Sequence, residues 1–318
     1  MLSGNNLMRM WLEQNRRKPP FLCLTALQPG SRFRIRTVGS GTPSVSFAVS
    51  EDGDNWTDYS LNDYITLGLG EKCYIKGDNA TLGAAYSSYT QFQMTGMLAA
   101  SGNIMSLLDS TCRSRSFSSA YAVKGLFNGC ISLVTAPELP ATGLTDNCYD
   151  NTLRNTGITE APELPATTLA PYCYSYMLGN TPIRKMPRLP ATYVPNYAYQ
   201  YMLYQCESLD DATAGISATN VGTRGMLHMF DGCTSLATAP QLSVTEFTTG
   251  ACLMEMFSGC ASLSRIQVSN TSWGRATDTT FNDWVSGVAA SGTFVCPSAL
   301  PEEYGVNRIP TGWTRVTY

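Results

Sequence analysis

The sequence predicts a mixed α/β, multi-domain chain: an N-terminal antiparallel β-sandwich, a repeat solenoid with one parallel strand per repeat, and a C-terminal cap. Three observations lead there. Residues 21–96 alternate apolar and polar side chains in short runs separated by turn residues. Three apolar rows then recur every 25–27 residues, over roughly residues 115–270. The final segment, 271–318, loses the repeat but carries Trp273, Trp284, Phe294 and Trp313, enough bulk to cover an apolar end. The resulting divisions are 1–20, 21–100, 101–270 with about six repeats, and 271–318.

The repeat rows are in register. Leu-Pro-Ala-Thr stands at 139–142, 164–167 and 189–192. An apolar pair recurs as Leu126-Phe127, Met177-Leu178, Met202-Leu203, Met229-Phe230 and Met256-Phe257, with Thr152-Leu153 in the same row. A third row holds Leu133, Ile158, Ile183, Leu209, Leu236 and Leu263. A unit of this length cannot bury its apolar side alone, so neighbours must stack. Within a unit, Leu133 to Leu139 reads as strand with Pro137 at its edge or a bend. Pro171 to Leu178 reads as a short helical turn, closed in later repeats by Gly232 and Gly259 at positive φ.

The eleven cysteines are odd in number and include no Cys-x-x-Cys pair, which points to folding in a reducing compartment. Most fall on repeat positions. Cys130, Cys206, Cys233 and Cys260 share one; Cys148, Cys173 and Cys252 share another with Ala198 and Gly225. Exchange with Ala and Gly marks a small buried position, so these are read as packing thiols rather than metal ligands.

Units such as Met229-Phe-Asp-Gly-Cys-Thr-Ser-Leu-Ala-Thr-Ala-Pro-Gln-Leu242 and Ala161-Pro-Glu-Leu-Pro-Ala-Thr-Thr-Leu169 resemble the BspA-like class of leucine-rich repeat proteins, found in gut bacteria and their phages. The resemblance covers about half the chain. It implies a right-handed leucine-rich-repeat solenoid used for attachment or protein contact, without catalysis. The flanks around Phe92–Leu108 and Trp284–Phe294 also resemble segments that accompany such repeats. Asp210–Val221 departs from the pattern, because Leu-Pro-Ala-Thr is lost there.

Charge separates the two ends. Residues 1–37 hold Arg9, Arg16, Arg17, Lys18, Arg32, Arg34 and Arg36 against the single acid Glu13, although the whole chain is at −3. A basic foot on an acidic body suits docking onto an acidic partner and speaks against nucleic acid as the main ligand. Residues 5–18 form an amphipathic helix candidate, stopped by Pro19-Pro20. The expected docking residues are Leu7, Arg9, Met10, Trp11, Arg16, Arg17 and Lys18. No window is apolar enough for a membrane span, and no cleavable signal is evident. Release inside an assembled particle fits these features; a bacterial surface adhesin is the alternative.

No nucleotide loop, nucleophile elbow or cofactor motif is present. His228, the only histidine, shares its repeat position with Asn151, Tyr176, Tyr201 and Glu255 and is read as outward-facing. Glu51–Asn55 reads as a hairpin turn, with a calcium loop as the sharper alternative. Two binding surfaces follow. One is a charged row containing Glu160, Lys185, Asp211 and Arg265, flanked by Arg188. The other is a tyrosine cluster containing Tyr172, Tyr176 and Tyr201, suited to stacking on sugars or filling a protein interface. The functional expectation is a non-enzymatic virion fibre, decoration or tail-associated protein, self-associating or bound to other virion proteins, that meets a host protein or glycan. A glycan-active enzyme using paired carboxylates is the third reading.

Overall fold

The structure, a computed structural model, describes residues 20–247, 250–274 and 279–318. Alternating side chains build two antiparallel sheets at the N-terminal end. The strands are β1 (Leu22–Ala26), β2 (Ser31–Val38), β3 (Phe47–Ser50), β4 (Thr57–Tyr59), β5 (Ile65–Leu67), β6 (Lys72–Lys76), β7 (Gly83–Ala85), β8 (Ser88–Thr95) and β9 (Leu98–Ser101). On β2, Ser31, Phe33 and Ile35 are buried while Arg32, Arg34 and Arg36 face outward, the period of two of a half-buried strand. One sheet runs β9-β1-β6-β3-β4 and the other β5-β2-β8-β7. The Glu51–Asn55 segment joins β3 to β4 as a hairpin. Asp52 there accepts the amide N–H groups of Asn55 and Asp54, which hold its carboxyl well below the usual range. Its Oδ1 takes both amides and its Oδ2 accepts the Asn55 side-chain amide, so both oxygens serve the turn.

The mixed α/β solenoid is not what forms. Among the described residues there is no α-helix; the helical element present is a single 3-10 turn, Ile104–Leu107. Nor does each repeat add a strand to one continuous parallel sheet. Between residues 101 and 270 the strands are two or three residues long: β10 (Leu133–Thr135), β11 (Tyr193–Val194), β12 (Asn220–Val221), β13 (Glu246–Phe247) and β14 (Arg265–Gln267). β10 pairs in parallel with β9 at the edge of the first N-terminal sheet, β11–β13 and β14 fall into two separate small sheets, and isolated parallel bridges such as Leu189–Ile216–Leu242–Val268 lie along the stack. The described residues are therefore nearly all β and turn.

The helix expectation fails for a physical reason. Every fourth residue of the segments read as helical turns is left-handed: Asn147, Asn151 and Asn155 (φ 57°, 56°, 56°), then Tyr172, Tyr176 and Asn180, then Tyr197, Tyr201 and Gln205. The coil is a run of linked turns, and its amides divide two ways. Those of Tyr121, Val123, Gly125, Phe127 and Gly129 donate to carbonyls of the next repeat, Asp146 to Arg154, at 2.8–3.0 Å. The alternating amides of Lys124, Leu126, Asn128 and Cys130 turn back to the carbonyl three residues earlier, at 3.0–3.3 Å. The pattern recurs at 147–155, 172–180, 197–205 and 224–232. An α-helix would direct every amide to its own fourth predecessor and leave none for a neighbour.

One core runs through the described residues, from Leu22 to Trp313. Leu153, Leu178, Leu203, Phe230 and Phe257 form a fully buried column. Cys206, Cys233 and Cys260 donate their thiols to Leu178, Leu203 and Phe230 carbonyls at 3.2, 3.1 and 3.0 Å. Thr156 and Thr181, at the same repeat position, donate to Leu153 and Leu178 carbonyls. Cys and Thr thus interchange as small donors. At the N-terminal end, β8 acts as the first rung: the Phe92 amide donates to the Leu126 carbonyl, and Phe33, Phe92 and Phe127 pack in series. At the other end, β14 pairs in parallel with β15 (Thr293–Cys296) and β15 with β16 (Thr314–Thr317). Trp273, Trp284 and Trp313 seal that end and donate their indole N–H groups to backbone carbonyls.

The turn geometry has a test with a definite sign. Gln205 is exposed, left-handed (φ 54°), and shares its row with Gly129, Gly232 and Gly259. Gln205→Gly is expected to leave stability unchanged or raise it by up to about 1 kcal/mol, because a left-handed non-glycine residue costs roughly 1–2 kcal/mol. In a helix the same change would lower stability by roughly 1 kcal/mol. Urea denaturation separates the two.

Candidate functional site

Stacking turns in register also stacks their side chains. Tyr149, Tyr174 and Tyr199 form an inner column, fully buried, with ring centroids 5.7 and 6.1 Å apart. Two residues away on either side, the left-handed positions carry tyrosines outward. Tyr172 stacks on Tyr197 at 4.4 Å. Tyr176 stacks on Tyr201 at 4.3 Å, and Tyr201 on His228 at 4.5 Å. The Arg154 guanidinium lies 4.4 Å from the Tyr176 centroid, at the start of that column. At its other end, His228 Nδ1 is 2.7 Å from the Asp231 carboxylate and Nε2 is 3.5 Å from Glu255. His228 is thus half-buried, with an acidic partner at each ring nitrogen. Among the described residues, this trio is the group close enough to hold a metal ion, with donor atoms within 4.8 Å of one another. Asp231 already occupies Nδ1, and one ring face lies against Tyr201.

Where the outer columns begin, a cleft of about 380 Å³ opens. Tyr121, Asn147, Tyr172 and Tyr176 line it from successive turns, and Tyr86 closes one side from the loop between β7 and β8. Asp150, Ser175 and Gln200 form its floor. Asp150 makes a buried ion pair with Lys124 and accepts the Asn151 side-chain amide at 2.6 Å. Burial pushes the Asp150 carboxyl above its ordinary value even though the Lys124 ammonium draws it down. That ammonium also sits 4.1 Å from the Tyr86 centroid. Gln200 donates its side-chain amide to Ser175 Oγ at 3.1 Å. The site offers neutral polar groups and aromatic faces around a self-neutralised pair.

The residues expected from sequence separate into three groups. Tyr172 and Tyr176 line the cleft, and Tyr201 backs Tyr176. Glu160, Lys185, Arg188 and Arg265 are exposed and spread along the stack rather than gathered into a pocket. Lys185 bridges to Asp211 at 3.5 Å and Thr238 pairs in parallel with Arg265, an exposed ladder of small energetic weight. Leu7, Arg9, Met10, Trp11, Arg16, Arg17 and Lys18 lie outside the described residues. The described part of the basic end does show an arrangement. Arg32, Arg34 and Arg36 share the outer face of β2, hydrogen-bonded to Thr95, Gln93 and Gln91. Arg32 and Arg34 also lie over Tyr64.

All eleven thiols are buried. Burial pushes Cys130 and Cys260 up to about 12, far from the reactive thiolate range. Comparison of the chain with protein-family models, curated proteins and solved structures finds no match.

Sequence reasoning missed Tyr86, Tyr121, Asn147 and the Lys124–Asp150 pair. Tyr121 had a signal, since it occupies the row of Tyr172 and Tyr197. Tyr86 had none, because it comes from outside the repeats.

Two outcomes follow. Lys124→Met is expected to cost about 3–5 kcal/mol by leaving Asp150 buried and unpaired, and Lys124→Met with Asp150→Leu to recover most of that; a double-mutant denaturation cycle measures both. Thiols that ionise near 9.0 when unfolded but at about 12 when folded leave the unfolded state with fewer bound protons between those values. Their contribution to stability is therefore complete below pH 9 and declines as pH rises toward 12, readable as a falling denaturation midpoint.

Proposed function

We propose that this protein is a non-enzymatic phage virion component, a fibre, decoration or tail-associated protein. It docks through its basic N-terminal end and turns the tyrosine side of its repeat stack toward a host-surface protein or glycan. The observation that carries this reading is the cleft where Tyr86, Tyr121, Tyr172 and Tyr176 converge over polar groups. Partly exposed aromatic rings beside amide and hydroxyl groups suit recognition.

Three further features support it. The repeat units resemble BspA-like attachment proteins. The arginine row on β2 extends the basic end onto a folded surface, where it meets an acidic partner by charge complementarity. Side chains with catalytic potential are engaged in packing: the thiols are buried, Asp150 is held by Lys124, and His228 by Asp231 and Tyr201.

Quantitative mass spectrometry of gradient-purified particles, together with immunogold labelling, tests the assignment. The protein is expected at stoichiometric levels in particles, with antibody against the tyrosine face labelling their exterior. Its absence from particles, or its recovery from bacterial envelopes alone, contradicts the virion reading and favours a cell-surface adhesin.

A further inference from the structure

The outermost tyrosine column lacks a rung. Tyr121, Asn147, Tyr172 and Tyr197 occupy one position in four successive turns, each left-handed with φ between 57° and 63°. Their backbones are tied in series: the Tyr121 amide donates to Asp146, Asn147 to Pro171, and Tyr172 to Asn196. Where tyrosines are consecutive, at Tyr172 and Tyr197, the rings stack 4.4 Å apart and 6° from parallel. Between Tyr121 and Tyr172 stands Asn147, whose side chain is too short to fill a ring's place. All three line the cleft. Omitting one rung leaves about twice the stacking distance between the tyrosines on either side, room for one ring-thick guest.

We infer that this missing rung is a binding slot for one pyranose ring of a glycan, held between Tyr121 and Tyr172. This rests on the attachment role proposed above and names the ligand class. The walls call for a guest with two flat faces bearing C–H groups, as a pyranose has. The rim calls for hydroxyls: the Asn147 amide stands at the back, and Ser175 and Gln200 lie along the floor. A plain aromatic ring would satisfy the walls but offer no hydrogen bond to the Asn147 amide or to the side-chain oxygen of Gln200, whose nitrogen already donates to Ser175. The Lys124–Asp150 pair leaves no uncompensated charge in the floor to hold a phosphate or carboxylate. The volume of about 380 Å³ takes one or two sugar rings. Tyr86, 69% exposed at the mouth, is placed to meet the next unit of a longer glycan. Tyr176 serves as a side wall, since Arg154 and Tyr201 flank its ring.

The slot can be closed by completing the column. Asn147→Tyr places tyrosine where Tyr172 and Tyr197 already hold it at the same backbone angles, so the variant is expected to fold with an unchanged or higher melting temperature. The probes are the methyl β-glycosides of glucose, galactose and N-acetylglucosamine, followed by saturation-transfer NMR on the full chain. Wild type is expected to transfer saturation to the ring C–H protons of at least one of the three. Asn147→Tyr is expected to weaken that binding at least about tenfold, and Tyr172→Ala to weaken it as well by removing a wall. No transfer to any of the three glycosides with wild type, or undiminished binding by folded Asn147→Tyr, overturns the slot. Host-cell adhesion of the same proteins separates the two proposals. Adhesion by wild type that Asn147→Tyr fully retains removes the slot and keeps the attachment role; no adhesion by wild type removes the attachment role itself.

Discussion

Each repeat coil divides its backbone amides between itself and its neighbour, and the rest of the structure depends on that division. Tyr199, Tyr201 and Leu203 donate to Gly225, Leu227 and Met229 in the next coil, while Gln200, Met202 and Tyr204 close turns in their own. Both sets are satisfied only if a left-handed residue recurs every fourth position. Left-handed tyrosine, glutamine and histidine are each unfavourable alone. They persist because each coil gains backbone bonds to both neighbours and places its apolar column directly over the next. Glycine takes the same positions where no side-chain contact is made, as at Gly129 and Gly259, and asparagine, which tolerates the left-handed region better than most residues, takes others, as at Asn155.

A stack with this register multiplies whatever occupies a position. Tyrosine over tyrosine becomes an aromatic column; Asn155 and Asn180 become an amide ladder, with Asn128 extending it; small donors become a row capping carbonyls. Functional variation then arises where a row changes identity. The cleft lies where tyrosine gives way to Asn147, and the ion pair beneath it joins two neighbouring coils through Lys124 and Asp150. The N-terminal sheets contribute by ending the stack: β8 presents a rung to the first coil, and the β7–β8 loop carries Tyr86 to the cleft.

The repeat rows were legible because burial is periodic, and Leu126-Phe127 through Met256-Phe257 occupy the core as the rows require. The backbone that carries them was not. An apolar pair such as Met177-Leu178 suits a helix as well as a linked turn. The distinguishing signal was the four-residue spacing of Asn147, Asn151 and Asn155, and of Gly125 and Gly129, against the helical 3.6. Local propensity does not reveal that the missing hydrogen bonds go to another repeat. The tyrosine cluster was visible, and of the charged row Glu160, Lys185, Arg188 and Arg265 stand on the surface. The cleft was not, since it requires Tyr86 from a different sheet and a gap in a column that only stacking defines.

The division of amides can be observed directly. Scalar couplings transmitted across hydrogen bonds, recorded by NMR on deuterated protein, report which carbonyl each amide engages. Tyr199 is expected to couple to the Gly225 carbonyl carbon and Gln200 to that of Tyr197, with the same alternation through Tyr204. Couplings from each of these amides to the residue four before it, Tyr201 to Tyr197 among them, would mean that the coils are helices and would contradict the account.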